Sequence, residues 1–287
     1  MNYQNCQLCP RKCGADRSAG ALGWCGAPDT ALVAKTMLHA WEEPVLSPNG
    51  RSGAIFFGGC TLGCIYCQNR SISEKPVGKP MDSAQLRSVM EDLIARGAEN
   101  IDLVTPTHYL PTILPALEPK LPVPVIYNCG GYERVQTLKA LAGKVDIYLP
   151  DLKYSDAALA QTLSGAKNYF SMAKLALKEM VRQTGSPKWE GDRLIRGTVV
   201  RHLILPGQVE NSLRVLDWLG DHFKPGEILV SLMRQYTPME ATKHLPPLDR
   251  SISDEEYDAV LSWMYLNGLE GFVQEETAAD TRFIPDF

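Results

Sequence analysis

The sequence predicts an α/β fold: a partial (β/α)6 barrel of the TIM type, preceded by a small Cys-rich metal knuckle. Three observations predict it. After residue 68, strand-like and helix-like segments alternate, which argues for a parallel sheet covered by helices. A polar residue or a glycine recurs where each strand-like run stops. Residues 1–28 carry four cysteines among glycines and almost no apolar periodicity, so a metal would have to supply that segment's stability.

The knuckle comes first. Cys6, Cys9, Cys13 and Cys25 form its thiol set, and four thiolates suit either zinc or an iron–sulfur cluster; the spacing does not choose. Residues 1–45 are read as this extension plus a linker, and 46–287 as the barrel. Residues 31–50 are expected to be a solvated linker.

The first barrel strand is the apolar run 54–57. The first helix is capped by Asp82 with Gln85 three residues on. It presents Leu86, Val89, Met90, Leu93 and Ile94 on one face, and Gly97 ends it. Strands follow at 101–105, 123–128, 145–149, 198–205 and 228–233, with a short final one at 271–275. Helices are expected at 133–142, twice within 155–183, at 209–219 and from the Ser253–Glu256 capping box to about 266. In a (β/α) barrel the C-terminal strand ends share one face. Thr105, Asn128, Asp151, Arg201 and Gln235 would therefore converge.

Composition bounds the function. The chain has 287 residues, 45% hydrophobic and 22% charged, with a formal net charge of −4. Its basic residues are scattered, whereas phosphate-dominated nucleic-acid binding needs concentrated positive charge. No run has the length of a membrane span, and the N-terminus is polar. These features predict a cytoplasmic protein with reduced thiols and no nucleic-acid or membrane partner.

The chemistry lies at 60–69. Cys60, Cys64 and Cys67 fall within eight positions, directly after the first strand. Zinc structural sites want four ligands in pairs, and no fourth is adjacent. An iron–sulfur cubane on three thiolates keeps one iron open for a ligand.

This Cys-x3-Cys-x2-Cys run, with Tyr66 before its last cysteine, resembles the signature of radical S-adenosyl-L-methionine (SAM) enzymes. The whole chain resembles the uncharacterised activating-enzyme-like members of the branch related to pyruvate formate-lyase activating enzyme. The resemblance rests on Cys-x2-Cys-Pro-Arg-x-Cys-Gly at 6–14, Ile-Phe-Phe-Gly-Gly-Cys through Cys-Gln-Asn at 55–69 and Leu-Val-Thr-Pro-Thr-His at 103–108. It rests also on Tyr-Asn-Cys-Gly-Gly-Tyr-Glu at 127–133, Tyr-Leu-Pro-Asp-Leu-Lys at 148–153 and Arg-His-Leu-Ile-Leu-Pro-Gly at 201–207.

The resemblance implies a 4Fe–4S cluster on Cys60, Cys64 and Cys67 with SAM on its open iron. Reductive cleavage of SAM would give a 5′-deoxyadenosyl radical that takes hydrogen from a substrate. Tyr66 and Asn69 would contact adenine. Thr105 and Thr107 would receive the SAM amino group, where many relatives place a Gly-Gly-Glu run. Asp151 would bind the ribose hydroxyls, and Lys153 with Arg201 the SAM carboxylate; Asn128 and Gln235 complete the set. His108 could face the substrate or be a buried structural histidine. Cys129 could donate a hydrogen atom, though an inert buried thiol is the favoured reading. In chains that this one resembles, the segment equivalent to 31–50 approaches the active site, which makes His39 and Glu43 functional candidates.

An external one-electron reductant of flavodoxin or ferredoxin type is implied. The expected activity is that of a radical SAM oxidoreductase, an activase acting on a glycyl-radical or other polypeptide. A radical enzyme acting on a small molecule and a non-catalytic iron–sulfur electron carrier are the alternatives.

Overall fold

The computed structural model describes residues 1–274. In chain order its elements are β1 (Ala31–His39), β2 (Ser52–Phe57), α1 (Arg70–Ser73), β3 (Lys79–Met81), α2 (Ser83–Ala95), β4 (Asn100–Val104), α3 (Leu110–Ala116), β5 (Val125–Cys129), α4 (Val135–Lys139) and β6 (Ile147–Pro150). They continue with α5 (Ala157–Ser164), α6 (Tyr169–Thr184), β7 (Lys188–Glu190), β8 (Arg193–Leu203), α7 (Val209–His222), β9 (Leu229–Met233), α8 (Asp254–Leu266) and β10 (Gly271–Val273). Strands β2, β4, β5, β6, β8, β9 and β10 lie side by side in that order, all parallel. The path ends at β10 on one side and at β1 and β3 on the other, so the barrel stays open.

The expected helix caps form. Asp82 accepts from the Gln85 amide at 2.8 Å, and Gln85 accepts from the Asp82 amide at 3.0 Å. Ser253 and Glu256 make the same reciprocal box at α8. On α2, Leu86, Met90 and Leu93 are fully buried against the sheet.

Residues 31–39, expected as linker, are instead strand β1, paired antiparallel to β2 from Val33–Phe57 to His39–Ser52. Its backbone satisfies the edge that a parallel sheet would leave open at β2. The chain then folds under the barrel, and Leu46 packs with Ile126, Ile147, Leu149, Leu194, Val199 and Leu229 as an apolar floor. Four further elements were not expected: the short α1 and β3, α3, whose Pro111 and Pro115 obscure its helical pattern, and the β7 strand folded antiparallel against β8. The short last strand lies at Gly271–Val273; residue 275 of the expected span is outside the described residues.

Side-chain alternation sorts the strands into two faces. Ile126 belongs to the floor inside the barrel, while Tyr127 and Cys129 pack outward with Tyr148 and Leu138 under the helices. By the same parity Asp102, Asn128, Asp151, Arg201 and Ser231 point inward. Among the described residues no helix is long and apolar enough to cross a membrane.

Candidate functional site: three thiols and a charged barrel mouth

Gly58 and Gly59 carry the chain from β2 into the cysteine loop. A Cβ on Gly59, whose φ is +86°, would meet the Cys25 carbonyl at 2.8 Å and the His108 ring at 3.3 Å. Glycine here lets the cysteine loop, the knuckle and the turn after β4 share one corner.

Hydrogen-bond donors aim at the sulfurs. The Ser164 hydroxyl lies 3.0 Å from Cys64 Sγ, the Leu62 amide 3.4 Å from Cys60 Sγ and the Ser73 hydroxyl 3.5 Å from Cys67 Sγ. Burial, added to by the neighbouring thiols, pushes the Cys60 thiol up to about 12 and raises Cys67. Buried free thiols would therefore stay neutral; thiolates here call for a bound cation such as iron.

Among the described residues no three His, Cys, Asp or Glu side chains converge on one metal-ion position. A cubane asks for no such point, because its thiolates bind separate irons. Three thiols with hydrogen-bond donors on their sulfurs fit the ligand set of an iron–sulfur cluster.

Beside this loop the lumen holds a ring of charge. Asp151 takes Arg201 Nε at 3.0 Å and Lys153 Nζ at 2.6 Å. Arg201 also donates to Asn128 at 2.6 Å, and Asn128 donates to Asp102 at 3.2 Å. From the floor segment, Glu42 stands 3.7 Å from Arg201, and Glu43 accepts from Ser231 at 2.8 Å.

Burial alone would raise Asp151, but Lys153 and Arg201 outweigh it and hold the carboxyl below its usual range. Burial, then the charge of Glu42, pushes Glu43 up to about 7. Asp102, fully buried beside Glu42, is raised well above the normal carboxylate value. Burial and like charge in one cavity thus both favour the neutral acid at Glu43 and Asp102.

Such a ring fits the head of SAM, a zwitterion with an ammonium and a carboxylate. Asp151 supplies an anion, Lys153 and Arg201 cations, and these three side chains keep 15–19% exposure. Thr105 adds a backbone at φ 57°, a left-handed conformation that threonine adopts only under constraint, with its amide bonded to Asn128 O. Strain of this kind at a strand end points to function.

The other expected residues are distributed as follows. Gln235 adjoins the cysteine loop, accepting from Gln68 at 3.0 Å through its carbonyl. Asn69 precedes α1 at the end of that loop. Tyr66 is buried, its hydroxyl 2.7 Å from that of Tyr154. Thr107 and His108 do not join the ring. Thr107 donates to Glu133 at 2.7 Å in the outer layer, where Tyr127 donates to both. His108 is 1% exposed and bonded to Gly58 O at 2.8 Å, and burial lowers it to about 4. Cys129 is buried outside the lumen. His39 stands edge-on to Phe56 at the lower end of β1. Glu42 and Asp102 were not anticipated; the one available signal was an aspartate inside the apolar run 101–104.

The knuckle docks onto the same corner. Arg17, 2% exposed, donates to Pro28 O at 3.0 Å and to His108 O at 2.6 Å. Cys6 and Cys9 are buried, Cys25 half-buried and Cys13 exposed. Burial, together with neighbouring charges, pushes Cys9 up to about 12.

Residues 48–107 match a family model described as a 4Fe-4S single cluster domain. The fold is similar to a radical SAM methyltransferase from Sphaerobacter thermophilus (13% identity, TM-score 0.54, 78% of this chain and 66% of that one). It is also similar to methylornithine synthase (16% identity, TM-score 0.50, 74% and 60%). The family match covers the cysteine loop, and the likeness to these two enzymes is one of fold. The chain spans less than two thirds of those two enzymes' lengths. An uncharacterized protein of Methanocaldococcus jannaschii is 28% identical over 276 residues, covering 90% of this chain and 74% of that protein. The motif cysteines stand in the loop after β2, beside the charged residues of the mouth.

Proposed function

We propose that the protein is a radical SAM enzyme of the activating-enzyme type, acting on a polypeptide. The observation that carries the proposal is the placement of three donor-ringed thiols beside Asp151, Lys153 and Arg201 at one barrel mouth. Once bound, the cluster supplies an electron and SAM the carbon radical that takes a hydrogen atom from the substrate. The chain's own part is to hold and to shield. Lys153 and Arg201 take the ligand's carboxylate, Asp151 and the floor acids balance the charge, and the apolar floor from Leu46 to Leu229 closes the lumen to water from below.

The polypeptide target is favoured by an open cleft of about 510 Å³ on the rim, lined by Asp156, Leu159, Thr162, Gln208, Asn211 and Arg214. Asn211 reaches from this cleft to Lys153 O at 3.0 Å, so an extended segment lying there runs next to the mouth. A small-molecule radical enzyme is the second reading, favoured by the Thr105–Thr107 departure from the Gly-Gly-Glu pattern. The four N-terminal cysteines, docked on the cluster corner, go with a second metal site, zinc or iron–sulfur.

Anaerobically reconstituted protein with dithionite and SAM should form 5′-deoxyadenosine. A deuterated polypeptide substrate should pass its label into that product. No 5′-deoxyadenosine, with cluster and SAM both bound, would refute the enzyme reading; label transfer only from small molecules would refute the polypeptide target.

A further inference from the structure

We propose that Ser164, clamped by Arg11 of the N-terminal segment, is a positioning donor that raises the reduction potential of the cluster on Cys60, Cys64 and Cys67. The proposal rests on the cluster reading above and goes beyond it: it gives the N-terminal appendage a role in setting the cluster's redox poise.

Ser164 is the last residue of α5, held by the left-handed turn at Gly165 (φ 57°) that ends the helix. It is 2% exposed, and its hydroxyl sits 3.0 Å from Cys64 Sγ and 2.7 Å from the Tyr154 hydroxyl. Tyr154 in turn lies 2.7 Å from the Tyr66 hydroxyl. One orientation satisfies all three hydroxyls: Tyr66 donates to Tyr154, Tyr154 to Ser164, and Ser164 to the sulfur. Each donor in such a chain polarises the next, and the last bond to sulfur strengthens. A hydrogen bond to a ligating sulfur favours the more negative, reduced cluster, and hydrogen bonds to the sulfurs help set the potential.

Arg11 controls where that hydroxyl stands. Its guanidinium donates to Ser164 O at 2.8 Å, to Gly165 O, to Thr61 O at 3.1 Å and to Leu62 O at 3.2 Å. One rigid fork therefore holds both the end of α5 and the cysteine loop, which is a task for arginine rather than lysine. The fork is itself packed over Trp24 at 3.8 Å from the ring centroid, with Tyr132 at 5.3 Å. Both Arg11 and Trp24 lie between knuckle cysteines, so the fold of that segment sets the Ser164–Cys64 distance.

The test is a potentiometric titration of the full chain, anaerobically reconstituted and followed by electron paramagnetic resonance, with iron and sulfide assayed in each sample. Ser164→Ala should load the wild-type iron content and show a lower midpoint potential. Ser164→Thr, which keeps the hydroxyl, should return the potential toward wild type. Arg11→Lys keeps the charge but loses the fork, and should shift the midpoint in the same direction by less. A fully loaded Ser164→Ala protein with an unchanged potential overturns the proposal. Should that variant load no iron, Arg11→Lys decides: a lowered midpoint supports the proposal and an unchanged one overturns it. A wild-type chain that assembles no cluster on the trio refutes the underlying cluster reading instead.

Discussion

Replacing Arg201 with methionine removes the cation around which the lumen is assembled. Arg201 bonds Asp151 at 3.0 Å and Asn128 at 2.6 Å and stands 3.7 Å from Glu42, with its side chain 16% exposed. Removing one partner of a buried ion pair costs about 3–5 kcal/mol, because the remaining charge is left uncompensated. Lys153 still holds Asp151 at 2.6 Å, which puts the expected loss near the lower end, about 3 kcal/mol. For a domain of this size that is roughly 6–12 °C in melting temperature.

Urea unfolding of the cluster-free chain should show a lower midpoint with an unchanged slope. The deficit should also depend on pH. Without Arg201 the lumen carboxyls bind protons more tightly folded than unfolded, so the variant loses further stability as pH rises from 5 to 8. A variant that unfolds at the wild-type urea concentration at pH 8 would refute the ionic role given to Arg201.

Burial holds Glu43 at about 7, above the ordinary 4.5, so the folded chain keeps a proton that the unfolded chain releases. Its favourable contribution is complete below about 4.5 and is lost as pH rises through 7. Glu43→Gln should therefore gain stability over wild type between pH 5 and 8, by at most about 3 kcal/mol in paired thermal melts. Gly131→Ala places a Cβ 2.1 Å from Asp151 O at φ +75°; it should cost roughly 2–5 kcal/mol in chemical unfolding and weaken SAM binding in an equilibrium titration. Cys129→Ala, in the outer layer, should leave 5′-deoxyadenosine formation within about twofold of wild type and lower stability by about 1 kcal/mol. Loss of turnover in a folded Cys129→Ala protein would contradict the outward placement.

The strand and helix order was legible because it rests on local signals. The capping boxes at Asp82 and Ser253 and the apolar runs of β2, β5 and β9 each declare themselves within a few residues. So does the spacing of the three motif cysteines. Strand β1 was not legible: Lys35 and Thr36 interrupt its apolar positions, and its pairing with β2 is a long-range choice. The lumen ring was half legible. Asp151 and Arg201 carry a motif, but Glu42 and Asp102 meet Arg201 only through sheet register and the path of the floor segment.

Cys129 carries a different lesson. A strand sends neighbours to opposite faces, so with Asn128 in the lumen Cys129 had to point away. Parity alone could have separated that pair. His108 and Thr107 could not be placed this way, because they fall in a short 3₁₀ turn where alternation no longer holds.

The central claim is that Cys60, Cys64 and Cys67 hold an iron–sulfur cubane with one iron free for SAM. The most direct measurement is the electron paramagnetic resonance spectrum of the dithionite-reduced, reconstituted protein before and after SAM is added, beside a Cys60→Ala/Cys64→Ala/Cys67→Ala variant as control. A cluster signal that changes on SAM addition, and is missing or unresponsive in the variant, is the predicted result. A wild-type signal indifferent to SAM, or one that survives unaltered in the triple variant, would contradict it.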